Sequence, residues 1–334
     1  MKFDTGVRRR NILAAGLAAG AAAALSPTMV RPARAQSWPT RPVTLVVPFA
    51  PGGGTDTFAR PFAAKLSQQL GQQVIIDNRA GAGGTVGAAI VARAQPDGYT
   101  FLVGAVHHTV AVAAYKKLSY DLDKDLIPVT GMAYVPDVLL VNPKVPARTL
   151  PEFIAFCKAN PGKVDYGSSG LGTTRHLAGE IFNARTGTQM VHVPYKGSGP
   201  ATAALINGEV SAVFEGLGSA AGHIRSGTVR ALAVFARTRS PAFPDIPTAA
   251  EGGVPDFESL SWYGLWAPAG TPRELVARMQ AETAKLFEAP DIKTIWFQQG
   301  AEPGGEASDK YAAFVNAEVG KWGKVVRDNN IVLE

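Results

Sequence analysis

One cysteine in 334 residues excludes any intrachain disulfide. Cys157 lies in Glu152-Phe153-Ile154-Ala155-Phe156-Cys157, an apolar helical pattern, and reads as a small buried hydrophobe. A stable fold without disulfides must rest on a large core, which roughly 300 residues can supply. Catalytic signatures are also missing: there is no Gly-x-Ser-x-Gly elbow and no His-Glu-x-x-His. Of five histidines only His107 and His108 are neighbours, and adjacent residues point apart on a regular element, so no metal site is expected. Beyond the first 35 residues, no stretch of transmembrane length lacks charge or proline. There is no solenoid repeat and no low-complexity linker.

Net positive charge is scarce outside the N-terminus. The formal charge is +6, and residues 1–35 hold +5 of it: Lys2, Arg8, Arg9, Arg10, Arg31 and Arg34 against Asp4. The remaining chain carries +1, so the high pI is no argument for nucleic acid or an anionic membrane as partner. Those 35 residues have a basic region, an Ala-rich apolar run from Ile12 to Leu25, and Ala33-Arg34-Ala35 before Gln36. That order predicts an export signal cleaved after Ala35, of the twin-arginine kind, and a periplasmic product.

From Val43 onward, short β-branched runs alternate with helical patterns. Strands are expected at Val43–Val47, Val74–Ile76, Thr100–Val103, Val138–Val141, Val164–Tyr166, Met190–Val193, Val210–Phe214 and Ala231–Val234. Phe58, Phe62, Leu66 and Leu70 mark one helix face, with Pro61 expected either to kink that helix or to mark where it becomes regular. A C-terminal helix from Ser308 to Arg327, capped by Ser308, is also predicted. The alternation implies parallel sheets covered by helices. Two extended stretches, Ala133–Pro143 and Ser259–Pro268, are candidate interdomain crossings and hinges. The predicted organisation is a signal at 1–35, lobe I at 36–137, lobe II at 138–260, and a return to lobe I with the C-terminal helices at 261–334.

Three glycine-rich turns stand out. Phe49-Ala50-Pro51-Gly52-Gly53-Gly54-Thr55-Asp56 follows the first strand and opens a helix, whose unpaired N–H groups suit a carboxylate or phosphate. A plain strand-to-helix turn capped by Thr55 or Asp56 explains it equally well; a Walker A loop is disfavoured by the missing Gly-Lys-Ser/Thr ending. Ser168-Ser169-Gly170-Leu171-Gly172-Thr173-Thr174 repeats the arrangement in the second half. Two such turns could grip one anionic group from both sides of a cleft. Asn78–Gly87 misses the dinucleotide spacing by one residue and reads as a structural turn, with Arg79 pairing locally. His107 and His108 follow a strand at its C-terminal end, where open α/β sheets bind ligands.

The chain resembles the Bug family, periplasmic solute-binding receptors of tripartite tricarboxylate transporters. The resemblance rests on Trp38-Pro39 with Arg41-Pro42, Val47–Asp56, Asn78–Gly87, Pro96–Thr100, Tyr166–Leu177, His192–Gly197, Arg230–Val234, Pro247-Thr248 with Glu251, and Ala267–Pro272, in order along the chain. It implies an α/β, two-lobed periplasmic binding protein fold, a flytrap of two sheets flanked by helices and joined by two hinge crossings. It implies also that the turns at Phe49–Asp56 and Ser168–Thr174 hold a ligand carboxylate through backbone amides, hydroxyls and ordered water. Arg175 and Glu215 depart from the family pattern.

The expectation is an exported receptor that binds a small organic mono- or dicarboxylate and delivers it to membrane transporter subunits. No enzymatic chemistry, cofactor, metal or nucleic acid is expected, and a monomer is. The candidate ligand-binding residues are Phe49, Ala50, Gly52, Gly53, Thr55, His107, His108, Ser168, Ser169, Gly170, Gly172, Thr173, Arg175 and Tyr195. Asp56 is expected to stabilise its helix rather than touch an anion. A β-branched residue at Gly53 should block close approach and demand an unfavourable backbone angle. Arg175, if it reaches the cleft, implies a second carboxylate. The alternatives are a receptor signalling to a sensor protein, and an exported hydrolase using Ser168 or Ser169, for which the sequence offers no identifiable base.

Overall fold

The computed structural model describes residues 38–328. The export signal and its cleavage after Ala35 lie outside the described residues. The elements run β1 Val43–Val47, α1 Gly54–Leu70, β2 Val74–Asn78, α2 Thr85–Ala92, β3 Thr100–Ala105, α3 His107–Ala114 and β4 Leu126–Val141. Then come α4 Leu150–Ala159, β5 Asp165–Ser168, α5 Thr174–Thr186, β6 Val191–Pro194, α6 Ser198–Asn207, β7 Ala212–Gly216, α7 Leu217–Arg225 and β8 Arg230–Val234. The chain closes with β9 Leu260–Pro268, α8 Arg273–Phe287, α9 Pro290–Gln298, β10 Glu302–Pro303 and α10 Ser308–Asp328.

One sheet of order β2-β1-β3-β9-β4-β7-β5-β6 runs through both halves, with β8 and β10 also paired to β4. β1 is parallel to β2 and β3, and β5 is parallel to β6 and β7, as strand-helix-strand units require. The two crossings overturn the expectation of purely parallel sheets. They are long strands, β4 and β9, paired antiparallel with each other from Leu126↔Pro268 to Pro136↔Leu260. Past Pro136, β4 leaves β9, and Asp137–Val141 pairs with β7 on one side while Val138–Val141 pairs with β8 on the other. Pro136 has no N–H to give, so the ladder changes partner where a donor is missing anyway.

Each half buries its own core. In the first, Val46, Leu102, Val110, Trp262 and Trp266 pack with Tyr311, Val315 and Trp322 of α10. Trp262 and Trp322 both donate their indole N–H to Glu318 Oε2, at 2.9 and 3.0 Å, so this buried carboxylate satisfies two aromatic donors. In the second, Leu139, Phe153, Tyr166, Phe182, Phe214 and Phe235 pack together, and Cys157 joins them with its thiol pushed up to about 12 by burial. That is the inert, buried cysteine the sequence predicts.

Two local expectations need correction. α1 is helical from Gly54, well before Pro61, so Pro61 does not mark the start of regular helix. Ser308 does not cap α10: its hydroxyl donates to the Val129 carbonyl at 2.6 Å, and the first helical bond runs from Tyr311 N–H to the Ala307 carbonyl.

Candidate functional site

The β1–α1 turn owes its shape to Gly52, whose φ of +87° is left-handed. The helix then starts from Gly53, in extended conformation and with no side-chain cap, so neither Thr55 nor Asp56 caps it. Asp56 instead folds back: Gly52 N–H donates to its Oδ2 at 3.0 Å, Asn78 Nδ2 to its Oδ1 at 3.1 Å, and Arg60 to both oxygens at 2.7 and 2.8 Å. Burial would raise the Asp56 carboxyl, but the hydrogen bonds from Arg60, Gly52 and Asn78 outweigh it and hold it below its ordinary value. This acid therefore shapes the turn and leaves the uncapped helix start free. A side chain at Gly54 would displace Tyr263, since a Cβ there would lie 1.9 Å from its hydroxyl.

The second turn, between β5 and α5, uses Gly170 at φ +128° and Gly172 at +69°. Thr173 is the N-cap of α5, accepting from His176 N–H, and its own hydroxyl donates to the Gly170 carbonyl at 2.7 Å.

Both turns meet at one cavity. Phe49, Gly53, Gly54 and Thr55 line it from the first turn, Ser169, Thr173, Thr174 and Arg175 from the second. His107 enters from the start of α3, Ser198 from the start of α6, and Ser261 and Tyr263 from β9. The space inside is about 30 Å³, room for one or two waters and for no organic acid. An outer hollow of about 320 Å³ shares Phe49 and Ser169 and adds Gly170 and Tyr195. The halves touch around this space: a Cβ on Gly199 would lie 2.2 Å from the Pro51 carbonyl oxygen, and one on Gly83 3.0 Å from that of Leu171. A wider hollow of about 880 Å³, between residues 118–125 and α10, is remote from both turns.

Arg175 is the cavity's cation, and its charge is already matched. Its Nη1 donates to Asp137 Oδ1 at 2.7 Å and to Ser261 Oγ at 2.6 Å, and its Nη2 to Glu215 Oε1 at 3.1 Å. Asp137 also accepts from Ser259 and Ser261, at 2.5 and 2.7 Å, so the cluster ties α5 to both crossing strands where they separate. Burial pushes the Asp137 carboxyl up against the opposing pull of Arg175 and the two serines. Arg175 Nε, Glu215 Oε2 and His107 Nε2 are buried without a partner. His107 packs edge-on against Phe49 at 4.5 Å, and burial, then His108 and Arg175, keep its pKa well below 6.5, so the ring is neutral.

Some expected contacts lie elsewhere. His108 is in the first core, its Nδ1 3.0 Å from the Tyr120 hydroxyl and its ring against Trp266; the two rings touch, with centroids 4.0 Å apart, but only His107 lines the cavity. Ser168 is fully buried and bonds to His192 Nε2 at 2.6 Å. Ala50, Gly52 and Gly172 shape the turns without lining either space; Gly172 N–H donates to His176 Nδ1 at 3.3 Å. Gly53 has φ −86°, an ordinary angle, so the expected backbone strain is absent; a Cβ there meets Ser198 at 3.2 Å instead. Ser198, Ser261 and Tyr263 were not anticipated, though Ser261 and Tyr263, two apart on a strand, necessarily share a face.

The Ser168–His192 pair supplies the base that the sequence did not reveal, but it is ill suited to hydrolysis. Burial, then His176, pull His192 down to about 3, and its stacking neighbour at 4.1 Å is the imidazole of His176. A base that weak lies far from the working pH. Among the described residues, no group of three or more His, Cys, Asp or Glu side chains could hold a metal ion, and no helix is long and apolar enough to cross a membrane.

Two α/β halves, bridged by two long strands and meeting at a cavity between helix-initiating turns, define a periplasmic binding protein fold. The structure of periplasmic binding protein BugD superposes with a TM-score of 0.85 at 32% identity, covering 89% of this chain and all of that one. Rpa4515 of R. palustris, solved with adipate, superposes at 0.85 with 38% identity, covering 88% and 99%. The sequence profile of the tripartite tricarboxylate transporter family receptor matches residues 58–331. Protein BugT of Bordetella pertussis (strain Tohama I) is 38% identical over 305 residues, 91% of this chain and 94% of that protein. The chain belongs to the tripartite tricarboxylate transporter receptor family, and is of the Bug type.

Proposed function

We propose that this protein is an exported receptor that captures a small organic carboxylate between its two halves and presents it to the membrane subunits of a tripartite transporter. The observation that carries this reading is the convergence of two helix starts, α1 and α5, on one cavity whose only lining cation among the described residues is already paired. Backbone N–H groups, Thr55 and Ser169 can hold one carboxylate through helix-end partial charge and hydrogen bonds, while Thr173, its hydroxyl already bonded to Gly170 and His176, holds the second turn in shape. Phe49 and His107 form the wall beside it. Catalysis is not part of this role. Adipate in the Rpa4515 structure supports the ligand class.

In this reading, lobe I comprises residues 36–137 and 261–334, and lobe II residues 138–260. The cavity is too small to admit an acid as it stands, so the lobes part by bending where β4 and β9 separate, at Pro136–Asp137 and Ser259–Ser261. Ligand contacts from both turns favour the closed arrangement, and only such differential contacts can shift the equilibrium. The protein acts as a monomer in the periplasm after cleavage behind Ala35. A thermal-shift screen of organic acids tests the binding role, and N-terminal sequencing of the exported protein tests the cleavage. Retention of Met1 in the exported product would contradict the export reading.

A further inference from the structure

Taking the carboxylate reading as its basis, we infer that Arg175, Asp137 and Glu215 set the charge of the ligand's far end. The cleft accepts a monocarboxylate bearing an uncharged oxygen acceptor and discriminates against diacids.

Arg175 lines the cavity and is only 5% exposed. A lone buried arginine there would call for a second carboxylate. This one is not alone. Asp137 and Glu215, both fully buried, hold its two terminal nitrogens before any ligand arrives. Asp137 and Glu215 thus already occupy both ends of the guanidinium fork. A ligand carboxylate at Arg175 would therefore enter beside one or two existing anions, with no free cation to balance it. Among the described residues, no lysine and no other arginine lines the inner cavity.

What the cluster leaves over is polar but uncharged in its demand. Among the described residues, Arg175 Nε is a buried donor without a partner, Glu215 Oε2 a buried acceptor without one, and His107 Nε2 a third such atom, on a neutral ring. An amide, hydroxyl or keto oxygen can accept from Arg175 Nε without adding a charge. An amide, which carries both a donor and an acceptor, can also pair with His107 Nε2 in either tautomer. Unpaired buried polar groups cost free energy, so a ligand that satisfies them is favoured over one that does not. The near end of the ligand is served by the two turns; the far end is read by this cluster.

Matched pairs differing only at that end test the inference: succinate and succinamate, glutarate and glutaramate, adipate and adipamate, titrated calorimetrically at neutral pH into the whole mature protein. For the best-fitting chain length, the half-amide should bind roughly tenfold or more tightly than the diacid, the equivalent of one pKa unit of charge repulsion. Glu215→Gln removes one of the competing anions and should narrow or invert that ratio by about as much. A purely structural role for the cluster would change the variant's stability but not the ratio. Asp137→Asn serves as the second variant if Glu215→Gln does not fold. A wild-type protein that binds the diacid as tightly as the half-amide overturns the inference and leaves the carboxylate role standing. So does a folded variant with an unchanged ratio. If none of the six binds, the inference falls, and if simple monocarboxylates from acetate to hexanoate fail as well, the carboxylate role falls with it.

Discussion

Gly199 isolates closure from folding. It is the second residue of α6 in lobe II, and the three atoms nearest to a Cβ built there all belong to Pro51 and Gly52 of the β1–α1 turn. The closest, the Pro51 carbonyl oxygen, would lie at 2.2 Å, and it is backbone, so it cannot rotate away. Gly199→Ala therefore requires the two turns to stand about 1 Å further apart to restore ordinary contact. Forcing one methyl into a filled contact costs about 1–3 kcal/mol. That cost falls only on the closed arrangement, so ligand affinity should drop by roughly 5- to 150-fold. In the open arrangement the clash is absent, and Ala is the better helix residue by up to about 1 kcal/mol. The melting temperature without ligand should therefore hold or rise. Calorimetric titration with the tightest acid from a screen, beside thermal melts of both proteins, reads the two quantities separately. Affinity within twofold of the wild type would refute the argument that closure brings these turns into contact. A large fall in the ligand-free melting temperature would show that the contact belongs to the fold itself.

Arg175→Met leaves Asp137 and Glu215 buried without their counter-charge, and should cost about 3–5 kcal/mol in urea-denaturation experiments. Asp56 is depressed below its ordinary value, so its contribution is present above about pH 4 and is lost as pH falls through the folded-state value. Asp56→Asn should consequently flatten the acid limb of the stability curve, and equal acid sensitivity in both proteins would contradict the hydrogen-bonded role of this carboxylate. Thr149, whose side chain caps α4 by accepting from Glu152 N–H, is exposed and lines neither the cavity nor the outer hollow. Thr149→Ala should cost about 1 kcal/mol of stability and leave ligand affinity unchanged in the same titrations.

The strands of the parallel units were legible because runs such as Val43–Val47 are buried on both faces and carry no competing helical period. The glycine turns were legible because Gly52, Gly170 and Gly172 hold angles that other residues avoid. The crossings were harder. Pro128, Gly131 and Pro136 break up β4 in the sequence, and its continuity comes from pairing with β9, a partner more than a hundred residues away. Registers of that kind are set by tertiary context and leave little local trace. The same limit applies to the site. Arg175 was singled out from its position in the turn, but its meaning changed once β4 and β7 brought Asp137 and Glu215 to it. The Ser168–His192 pair likewise depends on β5 and β6 lying side by side.

The central claim is that the cavity between the two turns holds a carboxylate. A thermal-shift screen of the mature protein against organic acids, sugars, amines, divalent metal ions and nucleotides tests it most directly. At about a hundred times its dissociation constant, a true ligand adds about 2.7 kcal/mol to the stability of the native state. The account predicts that small organic acids alone give this rise, and that Ser169→Ala reduces it by deleting a hydroxyl that lines the cavity. A screen in which only sugars or metal ions raise the melting temperature would contradict it.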